Sequence, residues 1–134
     1  MTLIPVGTEL PPLTIPIDRT FIVAAAIASR DYQDVHHDPE LARARGSEDV
    51  FVNILTSNAL VERFALAWAG ARWRVSRIRI RLGTPAYPGD VLELRGRVVD
   101  GEDAALALDV VATTARGAHL RGRAELEPVR PEAD

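Results

Sequence analysis

Two hydrophobic periods divide the chain. Before Gly70, apolar residues recur at helical spacing; beyond Arg72 they alternate with polar ones, as in a strand with one buried face. The longest helical pattern spans residues 53–69, with Ile54, Leu55, Ala59, Leu60, Phe64, Ala67 and Trp68 in phase and Gly70 as its stop. Ala65, Leu66 and Ala69 fill intervening positions, so little of the circumference is polar. The pattern predicts a central helix covered on several sides. Ahead of it, Thr20 is placed to cap an apolar segment over residues 21–28. Its alanines favour helix, while its β-branched residues leave strand open. Asp38, Pro39 and Glu40 read as N-cap, N1 and N2 of a short helix ending at Gly46. Residues 30–37 form a polar loop between these segments.

In the second half, Arg77-Ile78-Arg79-Ile80-Arg81-Leu82 alternates strictly, with one face apolar and the other entirely Arg. A turn over residues 85–90 leads to a second strand over 91–99. The turn Asp100-Gly101-Glu102-Asp103 leads to a third over about 105–114, and Arg116-Gly117 turns into a fourth over 120–126. Residues 1–19 carry Pro5, Pro11, Pro12 and Pro16 and read as an extended arm; residues 128–134 read as a charged, frayed tail. The order predicts one α+β domain over residues 1–134, an antiparallel meander of about four strands wrapped around the long helix. One sheet cannot shield such a helix on every side, so association with a second copy or a relative is expected.

Composition narrows the chemistry. The 134 residues are 47% hydrophobic, enough for one core, and the net charge of -3 gives no global field for nucleic acid or an anionic membrane. The absence of Cys excludes thiol nucleophiles, disulfides and thiolate metal sites. All sixteen Lys+Arg residues are Arg, which excludes Schiff-base catalysis and a P-loop lysine. The N-terminus lacks a basic leader, and the apolar run over 21–28 is too short to span a bilayer, so a cytoplasmic protein without membrane contact is expected.

Candidate chemistry therefore rests on His, carboxylates, hydroxyls, Arg and backbone amides. His36 and His37 neighbour Asp34 and Asp38, but adjacent residues point apart and helical His spacing is missing, so no metal site is expected. His119 falls in a strand beside a turn, where an exposed or structurally bonded ring is the plainer reading. The better constellation is Asp31 with His36: five residues apart in a loop, a carboxylate and an imidazole can meet at one reacting water. The plainer alternative is a carboxylate capping backbone amides beside a solvated His. Arg77, Arg79 and Arg81 have guanidinium forks suited to phosphate, although a solvated strand face or a polar subunit contact is the simpler account.

The loop and the long helix together resemble the MaoC-like family of (R)-specific enoyl-CoA hydratases, which adopt the hot-dog fold. That family carries Asp and His at this spacing before its central helix. Its Pro-Gly-Asp turn after the first long strand is matched by Pro88-Gly89-Asp90. The resemblance spans residues 20–98. Within the family, the segments Arg30-Asp31, Gln33-Asp34-Val35-His36-His37-Asp38, Gly46-Ser47 and Phe51-Val52-Asn53-Ile54-Leu55-Thr56 look like the small catalytic subunits of actinobacterial steroid side-chain hydratases. Phe21-Ile22-Val23, Trp68-Ala69-Gly70 and Arg81-Leu82-Gly83 extend the likeness.

The resemblance implies hydration of an α,β-unsaturated acyl-CoA, with Asp31 and His36 activating the water and the Ile54 amide stabilising the enolate oxygen. It implies a steroid-CoA substrate with a 17(20) double bond, from cholesterol or steroid degradation. No cofactor is implied beyond the CoA of the substrate. The implied partners are a larger MaoC-like subunit, in a heterodimer or heterotetramer, and a downstream aldolase. Gln33-Asp34 stands where the wider family has Asn-Pro, and Asn53-Ile54 where it has His-Gly; the steroid-type subunits share both departures. Ala59 and Ala67 could leave room for a bulky ring system, although close packing is the stronger reading. Two alternatives stay open: a hot-dog thioesterase using Glu62, the one acidic residue of the long helix, or a non-catalytic acyl-CoA-binding or stabilising subunit.

Overall fold

Each helix begins where a short polar side chain takes up free backbone amides. A computed structural model describes residues 4–101 and 105–131. Its elements are β1 (Leu13–Pro16), α1 (Arg19–Ala28), α2 (Pro39–Ala44), α3 (Ile54–Ala69), β2 (Trp73–Leu82), β3 (Val91–Asp100), β4 (Leu106–Thr114) and β5 (Gly117–Pro128). Asp38 caps α2 by accepting from the Glu40 and Leu41 amides at 3.0 and 3.1 Å, with Pro39 at N1. Asn53 caps α3 by accepting from the Thr56 amide at 3.2 Å, and Gly70 ends it at φ 85°. The cap of α1 is not Thr20. Asp18 accepts from the Phe21 amide at 2.7 Å, so the helix starts earlier and takes Thr20 into its first turn. A carboxylate is at least as good a cap as a threonine hydroxyl, and Asp18 stands first in the chain.

The five strands form one antiparallel sheet in the order β1-β3-β4-β5-β2. Two features differ from the expected four-strand meander. The proline-rich arm contributes β1, which pairs with β3 at the sheet edge; an edge strand tolerates Pro16 because its outer amides need no ladder partner. β2 pairs with β5 and not with β3, its neighbour in sequence. Alternation states which face of a strand is buried but not which strand lies beside it. Residues 83–90 cross the end of the sheet between the two. The Gly83 and Thr84 amides donate to the His119 and Ala118 carbonyls, and at the far side the Ile17 amide donates to the Asp90 carbonyl at 2.8 Å.

The inner face of the sheet alternates as expected: Leu92, Leu94 and Val98 on β3, Leu108 and Ala112 on β4, and Leu120, Ala124 and Leu126 on β5 are all buried. They meet one side of α3, which buries Thr56, Ser57, Leu60, Val61, Phe64 and Ala65. The expectation of a helix covered on several sides is corrected here. Ile54 and Leu55 are each 49% exposed, and Ala59 and Ala67 are exposed too, so neither alanine is a close-packing residue. A single sheet reaches only one side of a helix. On its outer face Arg77, Arg79 and Arg81 are exposed, and Arg79 and Arg81 lie directly across from Arg123 and Arg121. The end of the chain stays paired further than expected: β5 runs to Pro128, and the Val129 amide donates to the Arg72 carbonyl at 2.8 Å. The last three residues of the expected tail, and Glu102 and Asp103 of the expected turn, lie outside the described residues.

The sheet wraps the helix closely at Gly96 of β3. A Cβ there would lie 2.8 Å from Cε1 of Phe64 and 3.1 Å from the Asp109 carbonyl oxygen. Gly96→Ala is expected to destabilise the protein by about 1–3 kcal/mol through overpacking. A lower urea midpoint at unchanged slope reads this out; an unchanged midpoint means that the Phe64 ring has room to yield.

Candidate active site

The position of Asp31 is set by how α1 ends. The Arg30 amide donates to the Ile27 carbonyl at 3.0 Å and the Asp31 amide to the Ala26 carbonyl at 2.9 Å, a Schellman closure with Arg30 at φ 55°. A non-glycine residue in the left-handed region costs about 1–2 kcal/mol. Such backbone concentrates at functional sites, and here it turns the chain so that Asp31 follows directly on the helix. Residues 34–36 then form a single tight turn that buries His36 while His37 remains exposed. The two adjacent histidines point apart, and only the first faces Asp31.

Asp31 and His36 meet. His36 Nε2 lies 3.4 Å from Asp31 Oδ2. His36 Nδ1 lies 2.8 Å from the Phe51 carbonyl oxygen, which can only accept, so Nδ1 carries a proton. In the neutral ring Nε2 is then a lone pair, and it stands beside a carboxylate that also only accepts. Two acceptors side by side define a place for a donor with two hydrogens. The ring is held from behind as well. Phe51 packs edge-on to it with centroids 4.8 Å apart, Tyr87 packs edge-on to Phe51, and the Arg116 guanidinium sits 4.9 Å over the Tyr87 ring. Arg116 is itself fixed by Asp90 and Glu48.

Asn53 joins this pair to α3. Its Oδ1 caps the helix, while its Nδ2 donates to Asp31 Oδ2 at 3.1 Å and to Ser29 Oγ at 3.0 Å. That bond from Asn53 is the main reason the Asp31 carboxyl titrates below its ordinary range; partial burial opposes the shift, and the Gln33 amide and His36 assist it. The carboxylate is therefore ionised at neutral pH. The side chains of Asn53 and Ser29 were not among the residues singled out from the sequence. In the sequence Asn53 is only the start of the long helix and the residue standing where the wider family has His, and neither announces its bond to Asp31. The Ile54 amide, next in the chain, opens the first turn of α3, where no intrahelical acceptor exists.

The other candidates lie elsewhere. Glu62 is exposed, and the Arg stripe of β2 is on the outer face of the sheet, away from α3. His119 is buried and bonded to Ser57 and the Thr84 carbonyl. Among the described residues no three His, Asp or Glu side chains converge as a metal site would need. A largely apolar groove of about 360 Å³ runs between α1 and α3, lined by Phe21, Ala25, Leu55, Ala59 and Leu60 together with Ser29 and Thr56. Ser29 and Thr56 both bond Asn53, so the groove adjoins the Asp31–His36 pair.

Residues 5–118 match the family model described as MaoC like domain. The chain belongs to the MaoC-like domain family. It is 44% identical over 121 residues to the 3-oxo-4,17-pregnadiene-20-carboxyl-CoA hydratase beta subunit of Mycobacterium tuberculosis, covering 90% of this chain and 94% of that one. A chain in the crystal structure of the ChsH1-ChsH2 complex from the same organism superposes with a TM-score of 0.90 at 43% identity, covering 92% of this chain and 98% of that chain. The (R)-hydratase of A. caviae shares the fold at a TM-score of 0.83 and 20% identity, over 92% of this chain and 96% of that chain. The hot-dog architecture expected from the sequence is thereby established, over a longer stretch than the motifs alone had covered. No described helix of this MaoC-like chain is long and apolar enough to cross a membrane.

His119 carries a pH signature separate from the pair. Burial lowers its pKa below the ordinary histidine value, against the opposing pull of the Thr84 carbonyl and Asp90. The unfolded chain then takes up a proton more readily than the folded one. Stability from the neutral ring is complete above about pH 6.5 and erodes as pH falls below it. The denaturation midpoint is expected to drop between about pH 7.5 and about pH 5.5, and to drop less in His119→Gln. Equal drops in both proteins assign the effect to other groups.

Proposed function

We propose that this chain is the catalytic subunit of a hydratase that adds water across the α,β double bond of an enoyl-CoA. The observation that carries the proposal is the juxtaposition of Asp31 Oδ2 and the His36 Nε2 lone pair, 3.4 Å apart beside an apolar groove. A water held there donates one hydrogen to each acceptor. As its oxygen bonds to the β-carbon, the pair takes up one of its protons and returns a proton to the α-carbon. Negative charge moves meanwhile onto the thioester oxygen. The Ile54 amide, an unpaired donor at the positive end of a 16-residue helix, is the group assigned to receive that oxygen. Nothing in this scheme asks for a cofactor beyond the CoA of the substrate.

The kinship with a 3-oxo-4,17-pregnadiene-20-carboxyl-CoA hydratase subunit supports a steroid-CoA as substrate, its side chain unsaturated at 17(20). Water addition there makes a tertiary alcohol with a carbonyl two carbons away, the pattern that a retro-aldol step cleaves. An aldolase is therefore the reaction class that consumes the product. A larger MaoC-like subunit as partner is supported by the complex in which the similar chain occurs, by the bare side of α3 and by the unpaired outer edge of β2.

The decisive preparation is the chain co-expressed with a larger MaoC-like subunit and assayed on a steroid enoyl-CoA and on crotonyl-CoA. Asp31→Asn and His36→Gln are each expected to lower hydration by about 10²–10⁴-fold while the complex still elutes intact. Activity that survives both changes removes the acid–base assignment. The chain purified alone is expected to be inactive, and a fully active homodimer sinks the heteromeric reading.

A further inference from the structure

His119 is a buried titratable residue that the hydration scheme does not use, and its bonds lead back to the site. The ring sits near the start of β5 with only 2% of its surface exposed, and Ser57 on α3 is entirely buried. Nδ1 lies 2.8 Å from the Thr84 carbonyl oxygen, and Nε2 lies 2.8 Å from Ser57 Oγ. A carbonyl only accepts, so Nδ1 carries the proton and the neutral ring presents a lone pair at Nε2. Ser57 Oγ must then donate to His119. Its single proton is thereby used, and the Asn53 carbonyl, 3.3 Å from that oxygen, is left to the Ser57 amide at 3.1 Å. Because Ser57 is fully buried and its proton engaged, it is no candidate for a nucleophile.

We infer that the Ser57–His119 bond is a positioning device that fixes the axial placement of the first turn of α3, and through it the Ile54 amide and the Asn53 hold on Asp31. Further along α3 the core-facing side chains are apolar: Leu60, Val61, Phe64 and Ala65 are buried, and Leu66, Trp68 and Ala69 pack against the same core. Apolar contact is non-directional and sets the distance between layers better than it sets displacement along them. A hydrogen bond between two buried groups is directional and costly to leave unmade. It ties α3 to β5 and, through Thr84, to the 83–90 connection. Ser57 and Asn53 are one helical turn apart and joined by a backbone bond, so a shift at one moves the other. Asn53 in turn grips Asp31 Oδ2 from above. His119 and Ser57 touch no reacting atom; they act through Asn53 and Ile54.

This inference rests on the hydratase reading, and its test separates the two. In the co-expressed complex, Ser57→Ala is expected to lower kcat by about 10- to 100-fold, with KM within about twofold of the wild type, as for a small displacement of catalytic groups. The double variant Ser57→Ala/His119→Leu removes the orphaned acceptor and is expected to regain much of the lost Tm while kcat stays low. Recovery of kcat together with Tm shows a merely structural bond and overturns the inference. A second readout does not need activity: amide exchange in a peptide covering residues 53–58 is expected to quicken in Ser57→Ala while residues 60–69 exchange as in the wild type. Unchanged exchange at 53–58 overturns the inference even if the wild-type complex hydrates nothing, an outcome that by itself defeats only the hydratase reading.

Discussion

The carboxamide of Asn53 is the junction on which the site depends. It has one acceptor and two donor hydrogens, and the structure uses both ends: Oδ1 closes the N-terminus of α3, and Nδ2 bridges Asp31 and Ser29. A helix N-terminus and a carboxylate place opposite demands on a neighbour, since one needs an acceptor and the other a donor. An aspartate or serine would cap α3 equally well but could not supply a donor pair to Asp31 and Ser29 together. Here one side chain fixes three segments relative to each other: the end of α1, the loop that begins at Asp31 and the start of α3. The last of these carries the Ile54 amide, so the Asp31 carboxylate and the amide proposed to receive the oxyanion are placed by a single group.

The rest of the fold keeps that junction from moving. The sheet buries one side of α3 and approaches closely enough at Gly96 that a single added carbon has no room. Two sets of side chains then brace it. Arg116, Tyr87 and Phe51 support the ring of His36, and the Phe51 carbonyl selects its tautomer. Thr84 and His119 brace Ser57 from the sheet side. Both sets involve residues 83–90, a connection that must cross the sheet end because β4 and β5 lie between β2 and β3. It joins β2 to β3 and carries the Thr84 carbonyl and Tyr87 to the two ends of the site.

What was legible in the sequence follows from the range of each interaction. Asp38 and Gly70 mark helix ends through bonds to residues within a turn, and α2 starts and α3 stops where those residues predict. Asp31 and His36 lie five positions apart in one loop, close enough to meet. The spacing alone also allowed a capping carboxylate beside a solvated His, and the family resemblance favoured the pair. The strand pairing needed knowledge of the whole fold. Alternation located four strands, but the neighbour of β2 is chosen by a crossover, and β1 lies in a segment whose prolines argue against structure unless it is an edge. Arg30 in a left-handed conformation gave no sign, because glycine is the residue that announces that position. Ser57 and His119 are 62 residues apart, and each alone reads as a small core polar group and an incidental histidine.

The misjudged cover of α3 carries the larger consequence. Apolar residues all around a helix imply burial all around, yet Ile54, Leu55 and Ala59 face outward beside the groove. Exposed apolar groups are unfavourable in water, and for the proposed chemistry an oxyanion donor is weaker where water competes for it. A surface that closes over this side removes both costs at once. Such a surface would bury the free face of α3 and exclude water from the Ile54 amide and the Asp31–His36 pair. The all-round apolar pattern of α3 is not matched by burial within this chain, where the sheet covers one side and Ile54, Leu55 and Ala59 stay exposed. Hydrophobic periodicity marks what a helix can bury, and here the sheet accounts for only one side of it.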